Sequence, residues 1–227
     1  MKVILFGATG MVGQGVLREC LNDNSVESVL AVVRSPLRQQ HAKLKALLHQ
    51  DFNDYSMIKK DLEGYDACFF CLGVSSTGMS EQDYHRVTYD ITLAAAEALV
   101  SVNPGMTFIY VSGAGTDSAG QGRVMWARVK GRTENALLRL PFKAAYMFRP
   151  AFIQPMHGIV SKTKLYRIFY ALARPLFPVL HRFFPGYVTT TEKVGRAMIH
   201  VASNGYLKPF LENRDINRIT IPSRSVP

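Results

Sequence analysis

A chain of 227 residues, 48% hydrophobic and 19% charged, can bury one substantial core and is not a disordered tract. Its three cysteines are too few for a disulfide scaffold and suit a reducing compartment. The net charge of +10 is concentrated: residues 136–190 hold no acidic side chain but carry Arg139, Lys143, Arg149, Lys162, Lys164, Arg167, Arg174 and Arg182. Such a basic lobe either meets an anionic ligand or surface or is a solvated face.

Residues 2–6 form a short apolar run ending at glycine, the pattern of a strand buried on both faces. Because that strand begins at once, no leader peptide is expected, and a cytoplasmic location follows. Residues 10–21 place Val12, Val16, Leu17 and Leu21 at helical spacing. Residues 28–33 read as a second buried strand. Residues 44–48 read as a short third one, with helix as a competitor. Residues 55–62 are expected to be helical and 67–72 to be a fourth strand. There Cys68 and Cys71 stand three apart and so face opposite sides, which argues for buried structural cysteines rather than a redox or metal pair.

A long helix is expected over 81–102, stopping before Pro104-Gly105. A fifth strand (106–111), a helix (122–140) and a sixth strand (144–148) follow. Strands and helices alternating in this way predict βαβ units, a parallel sheet and helices on both of its faces.

After Pro150 the alternation breaks. Residues 151–187 are rich in proline and aromatics and are expected to cover the carboxyl ends of the strands as a substrate lobe. Leu165, Ile168, Phe169, Leu172, Leu176, Val179, Leu180 and Phe183 form an apolar stripe. It packs a core, touches an anionic membrane surface, or rims an anionic substrate. Arg167, Arg174, Pro175 and Pro178 interrupt it, so it cannot span a bilayer of ~20 apolar residues. A helix over 192–203, capped by Thr191, and a last strand over 216–221 complete the reading. No nucleic-acid motif accompanies the charge, so no nucleic-acid partner is expected. The six histidines lack metal-ligand spacing, so no metal is expected.

The most informative segment is Gly7-Ala8-Thr9-Gly10-Met11-Val12-Gly13, between the first strand and the first helix. In this setting each glycine has a mechanical role. Gly7 permits the tight turn, Gly10 lets backbone approach a pyrophosphate, and Gly13 lets the helix pack on the strand. The helix amino terminus offers free N–H groups and a favourable dipole to phosphate. The second strand ends at Val33-Arg34-Ser35. A carboxylate there would hold the ribose 2′-hydroxyl of NAD, whereas Arg34, with Arg38 to share the task, pairs with a 2′-phosphate. NADP is therefore expected over NAD. The fold class is α/β, a Rossmann-type doubly wound parallel sheet in one domain. Residues 1–150 form its cofactor-binding core, and 151–227 a small C-terminal lobe that partly returns to that core.

With these residues, the chain resembles the atypical short-chain dehydrogenase/reductase superfamily, in the TIP30/CC3-like branch with its epimerase-like bacterial relatives. The marks are the glycine turn, Asp51-Phe52, Cys71-Leu72-Gly73, Val111-Ser112, Val129-Lys130-Gly131 and Arg149-Pro150. The resemblance implies that Asp51 and Phe52 flank the adenine. Leu72 and Gly73 would pass along the cofactor's ribose and phosphate, and Pro150 to Phe152 would skirt the nicotinamide. Asp90 takes the place of a structural Asn. Ser112 matches the serine that binds the substrate carbonyl, and Lys130 the lysine that binds the nicotinamide ribose and lowers the pKa of a catalytic tyrosine.

The family motif is Tyr-x-x-x-Lys, but Trp126 stands four residues before Lys130. Indole donates a hydrogen bond and has no acid–base chemistry. Tyr84, Tyr89, Tyr187 or His157 could supply the proton if the fold brings one near, or a bound water could. Without a donor the chain would be an NADPH-sensing binding protein that acts through a partner or membrane surface. Trp126 reads equally as a core aromatic, Ser112 as a strand-end serine satisfying backbone, and Lys130 as a solvated helix lysine. On the enzyme reading, the substrate is a small carbonyl or alcohol, and an anionic one would suit the basic lobe.

Overall fold

The computed structural model describes residues 1–159, 177, 182–184 and 186–220. Its strands are β1 (Lys2–Phe6), β2 (Ser28–Val33), β3 (Leu44–Leu48), β4 (Ala67–Phe70), β5 (Thr107–Val111), β6 (Ala144–Arg149), β7 (Phe152–Gln154), β8 (Val188–Thr190) and β9 (Phe210–Glu212). Side chains alternate along β1: Val3 and Leu5 enter one core, Ile4 and Phe6 the other. A strand apolar at both parities needs cover on both faces. The parallel sheet that results runs β3-β2-β1-β4-β5-β6-β9, and β7 pairs in parallel with β8 apart from it. This is a Rossmann-type sheet, whose order reverses direction between β1 and β4.

The helices are α1 (Met11–Asn22), α2 (Glu81–His85), α3 (Ile91–Val102), α4 (Met125–Leu137), α5 (Thr191–Asn204) and α6 (Asn213–Ile219). Val16, Leu17 and Cys20 of α1 join Val194, Met198 and Val201 of α5 over one face. Ala95, Ala96 and Leu99 of α3 and Leu137 of α4 cover the other. A side chain at Gly15 would meet Thr191 Cβ at 2.5 Å, so the absence of one sets how closely α1 and α5 approach. Cys68 lies in one core while Cys71 packs against the other, on opposite sides as expected.

Several boundaries move for local reasons. The helix expected over 122–140 starts at Met125, because the Asp117 carboxylate accepts the N–H groups of Ala119 (3.1 Å) and Gly122 (2.6 Å) and holds that stretch as a turn. The helical stretch 81–102 contains a π turn at Arg86–Asp90 between α2 and α3. Residues 55–62 resolve into a 3-10 helix, Ser56–Leu62. The cap of α5 is Thr190, whose hydroxyl accepts the Lys193 N–H at 3.1 Å, one residue before the expected Thr191.

The strand expected over 216–221 is corrected. Residues 213–219 are the helix α6, and the strand of that region is β9. A reciprocal capping box decides it: the Glu212 and Asp215 side chains each accept the other's backbone N–H, which fixes a helix start. Ile216 and Ile219, three apart, then both reach the core on one helical face. The apolar stripe over 165–183 lies almost wholly outside the described residues.

Candidate functional site

The carboxyl ends of β1, β4 and β5 are neighbours in the sheet, and each ends at a segment singled out above. After Phe6 the chain turns at Gly7, whose φ of +78 is a left-handed value and whose absent Cβ would sit 2.6 Å from the Cys71 carbonyl. The Gly10 N–H donates to the Gly7 carbonyl at 2.9 Å. A Cβ on Gly13 would lie 2.0 Å from that same oxygen, so only glycine lets α1 seat against the turn. Gly10 is the N-cap in extended conformation, with no side-chain capping bond, and no acidic residue occupies the first turn. The N–H groups of Met11, Val12 and Gly13 are thus at the open end of a twelve-residue helix, where an anion is stabilised. The Thr9 carbonyl accepts the Gln14 side-chain amide at 3.1 Å, which braces the turn.

At the end of β2, Arg34 is exposed. Its guanidinium carbon lies 5.7 Å from the Phe52 ring centroid, and its carbonyl accepts the Gln50 side chain at 2.7 Å. Phe52 itself is buried against Phe6, His49 and Tyr55. Asp51 is exposed and accepts the Asn53 N–H at 2.9 Å. The Asp51-Phe52 corner and Arg34 thus share one rim beside the glycine turn's strand. Arg38 is exposed four residues on. Leu72 and the exposed Gly73 follow β4, and a Cβ on Gly73 would meet nothing within 4 Å.

Ser112 closes β5. It is 5% exposed, its N–H donates to the Phe148 carbonyl at 2.9 Å, and its hydroxyl donates to the same oxygen at 3.2 Å. The Ala114 N–H donates to the Pro150 carbonyl at 2.9 Å, so this loop is strung along residues 148–150, with Phe152 two residues further. Lys130 reaches from α4 and donates its ammonium to the Ser112 carbonyl. Its Nζ also stands 6.0 Å from the Tyr110 ring centroid. Trp126, one helical turn earlier and half-buried, packs its ring edge 3.6 Å from where a Gly115 Cβ would be. Ser112, Lys130 and Trp126 are therefore gathered at one strand end.

Most of the other named groups lie elsewhere. Asp90 is exposed in the π turn and pairs with His85 Nδ1 at 3.2 Å. It lines a surface groove with Glu81, Gln82, Arg86 and Arg132. Tyr89 stacks on His85 with centroids 4.5 Å apart. Tyr84 is buried and, after burial itself, helps hold the Tyr110 phenol above the ordinary tyrosine range. Tyr187 is exposed in a groove with Phe183 and Arg214. His157 has a left-handed backbone (φ 55) and pairs with Glu192 at 3.0 Å on the α1–α5 side. Among the described residues, none of Tyr89, Tyr187 and His157 is hydrogen-bonded to Ser112 or Lys130.

Residues 7–138 match the family described as NAD(P)H-binding. The chain belongs to that family. Its relatives place it with atypical short-chain dehydrogenases/reductases of the TIP30-like kind. It is similar to Protein HTATIP2 of Rattus norvegicus, 26% identical over 220 residues, covering 95% of this chain and 87% of that one. It is similar to "Protein FMP52, mitochondrial" of Meyerozyma guilliermondii, 24% identical over 212 residues, covering 89% and 85%. Among solved structures it shares its fold with MoeE5 in complex with UDP-glucose and NAD (TM-score 0.65, 17% identity, 95% of this chain and 79% of that one). The same holds for a short-chain dehydrogenase of Burkholderia cenocepacia J2315 in complex with NADP (TM-score 0.65, 13% identity, 96% and 91%). No described helix is long and apolar enough to cross a membrane.

In this NAD(P)H-binding chain, one supporting residue escaped the sequence reading. Glu134, fully buried on α4 one turn after Lys130, takes the Arg149 guanidinium on both oxygens (Nε–Oε1 2.9 Å). Arg149 had been counted with the basic lobe. Instead it is 13% exposed and also reaches Ser118 Oγ at 2.5 Å and Glu212 at 3.4 Å. The i, i+4 spacing of Lys130 and Glu134 was the available signal.

Burial pulls Lys130 down from the ordinary 10.5 to about 8, while Glu134 acts to raise it. The folded value lies below the unfolded one, so the unfolded chain binds more protons between about 8 and 10.5. Stability contributed by this side chain therefore rises with pH across that window. The urea midpoint of the natural chain minus that of Lys130→Met should climb from pH 8 to pH 10.5. A difference that stays flat would mean that the ammonium is solvated.

Proposed function

We propose that the chain is an NADP(H)-dependent oxidoreductase that passes hydride between the nicotinamide and a carbonyl or alcohol carbon of a small molecule. The observation that carries this reading is the uncapped helix start at Gly10, held by Gly7 and Gly13, beside a strand end that presents Arg34 and no carboxylate. The residues fit the group. The N–H groups of Met11, Val12 and Gly13 would bind the pyrophosphate, Arg34 the 2′-phosphate, and Asp51, Phe52, Leu72 and Gly73 the adenosine side. Bound there, a nicotinamide supplies or takes up the hydride.

Lys130 has three N–H donors. One is held by the Ser112 carbonyl, and the other two would serve the ribose hydroxyls. Ser112 would orient the substrate oxygen at the end of β5 on turning its hydroxyl from the Phe148 carbonyl, and Pro150 to Phe152 would wall the ring. Three free cysteines support a cytoplasmic location. The mitochondrial label in a relative's name belongs to that relative. The Ser112 hydroxyl, already bonded to Phe148, and the indole of Trp126 favour a second reading, an NADPH-sensing protein that binds without turnover.

The test of cofactor choice is nucleotide affinity for the natural chain and Arg34→Ala, read from NADPH and NADH fluorescence. A charge-assisted hydrogen bond contributes about 1.5–3 kcal/mol, roughly ten- to a hundredfold. NADPH should bind tighter than NADH by at least about tenfold, and the variant should lose that margin. Equal affinities in the natural chain would remove Arg34 from the account. Saturable binding without NADPH oxidation by any carbonyl substrate would favour the sensing reading.

A further inference from the structure

The short-chain reaction on an ordinary ketone produces an alkoxide, which needs donors as it forms. Here neither donor expected at the end of β5 is in place. The Ser112 hydroxyl has one hydrogen, and it points to the Phe148 carbonyl at 3.2 Å. Four residues before Lys130 stands Trp126, whose indole cannot give up a proton to an alkoxide. In place of a phenol stands the half-buried indole of Trp126, its ring edge 3.6 Å from where a Cβ on Gly115 (φ +83) would be.

Resting on the oxidoreductase reading above, we infer that the substrates are planar conjugated carbonyl compounds, p-quinones and enones, which stack on Trp126. Such acceptors delocalise the charge that an isolated ketone would concentrate on oxygen. Hydride forms a C–H bond at the conjugate carbon of the acceptor, and the displaced π electrons settle on its carbonyl oxygen as an enolate, which water protonates. An enone thereby gives the saturated ketone; a p-quinone adduct then passes a proton from that carbon to its second oxygen through water and becomes the hydroquinone. The dinucleotide leaves oxidised by two electrons. An indole face suits a flat, electron-poor ring, and Lys130 beside it favours the developing anion.

Trp126 is the sole tryptophan, so its emission reports the site directly. The first arm titrates the protein, saturated with oxidised NADP so that no reduction can occur, with 1,4-naphthoquinone. Saturable quenching is expected. The second arm follows NADPH oxidation with naphthoquinone and with cyclohexanone. Turnover of the quinone, above the rate without protein, should exceed that of the ketone by at least about a hundredfold, the scale of a missing general acid. Trp126→Ala, which removes the stacking face, should raise the quinone KM by about two- to tenfold. Trp126→Tyr should raise cyclohexanone reduction by at least about tenfold by restoring an acid.

Quenching with quinone-selective turnover supports the inference. NADPH binding without quenching or quinone turnover overturns the substrate class and leaves the cofactor reading standing. Comparable turnover of cyclohexanone also overturns it, by showing a proton donor. Failure of NADPH to bind brings down the cofactor reading and the inference with it.

Discussion

Glu134→Ala is expected to lower the free energy of unfolding by about 3–5 kcal/mol, the cost of leaving a buried charge without its partner. Glu134 is fully buried and Arg149 nearly so, and the carboxylate takes the guanidinium through two bonds. After the change, Arg149 keeps Ser118, the more distant Glu212 at 3.4 Å and the Phe210 ring, 4.6 Å from its guanidinium carbon to the centroid. None of these replaces a bidentate carboxylate. The consequence extends to the candidate site, because Glu134 opposes the burial that depresses Lys130. Urea denaturation of Glu134→Ala, Arg149→Met and the double variant checks this. The double variant should be less destabilised than Glu134→Ala alone, since two apolar side chains leave no stranded charge. A single-variant cost under about 1 kcal/mol would place the pair in the weak class of exposed ion pairs.

Gly13→Ala carries the second large effect. Its Cβ would stand 2.0 Å from the Gly7 oxygen and 2.6 Å from the Gly7 carbonyl carbon. Both are backbone atoms, so no rotamer change relieves the clash. Either α1 lifts off β1 or the turn opens, at an overpacking cost of about 1–3 kcal/mol. Either movement displaces the N–H groups of Met11 and Val12 from the phosphate position, so nucleotide affinity should fall by at least about tenfold. Gly105→Ala is the control, since a Cβ there meets nothing within 4 Å, and it should leave both properties unchanged. A Gly13→Ala protein that binds nucleotide normally would show that the turn does not shape the site.

What the sequence made legible follows from which forces were local. The first strand, the glycine turn and the alternation up to Arg149 were readable because apolar parity and glycine sterics act over a few neighbouring residues. Ser112, Lys130 and Trp126 were readable as a group because a strand end and one helical turn have fixed spacings. Three features were not. The helix at 213–219 hides in a β-like string (Ile-Asn-Arg-Ile-Thr-Ile), and only the reciprocal Glu212–Asp215 cap shows its true start. Arg149 looked like surface charge because its partner is fifteen residues earlier, on another element. Asp90 matched by motif position, but its surroundings depend on how a π turn rotates the helix, which no spacing rule supplies.

The most direct measurement is calorimetric titration of the purified, nucleotide-free chain with NADPH and, separately, with NADH. One nucleotide should bind per chain, with NADPH the tighter by at least about tenfold. If neither nucleotide binds, the segment from Gly7 to Gly13 is a structural turn only, and the case for an oxidoreductase fails with it.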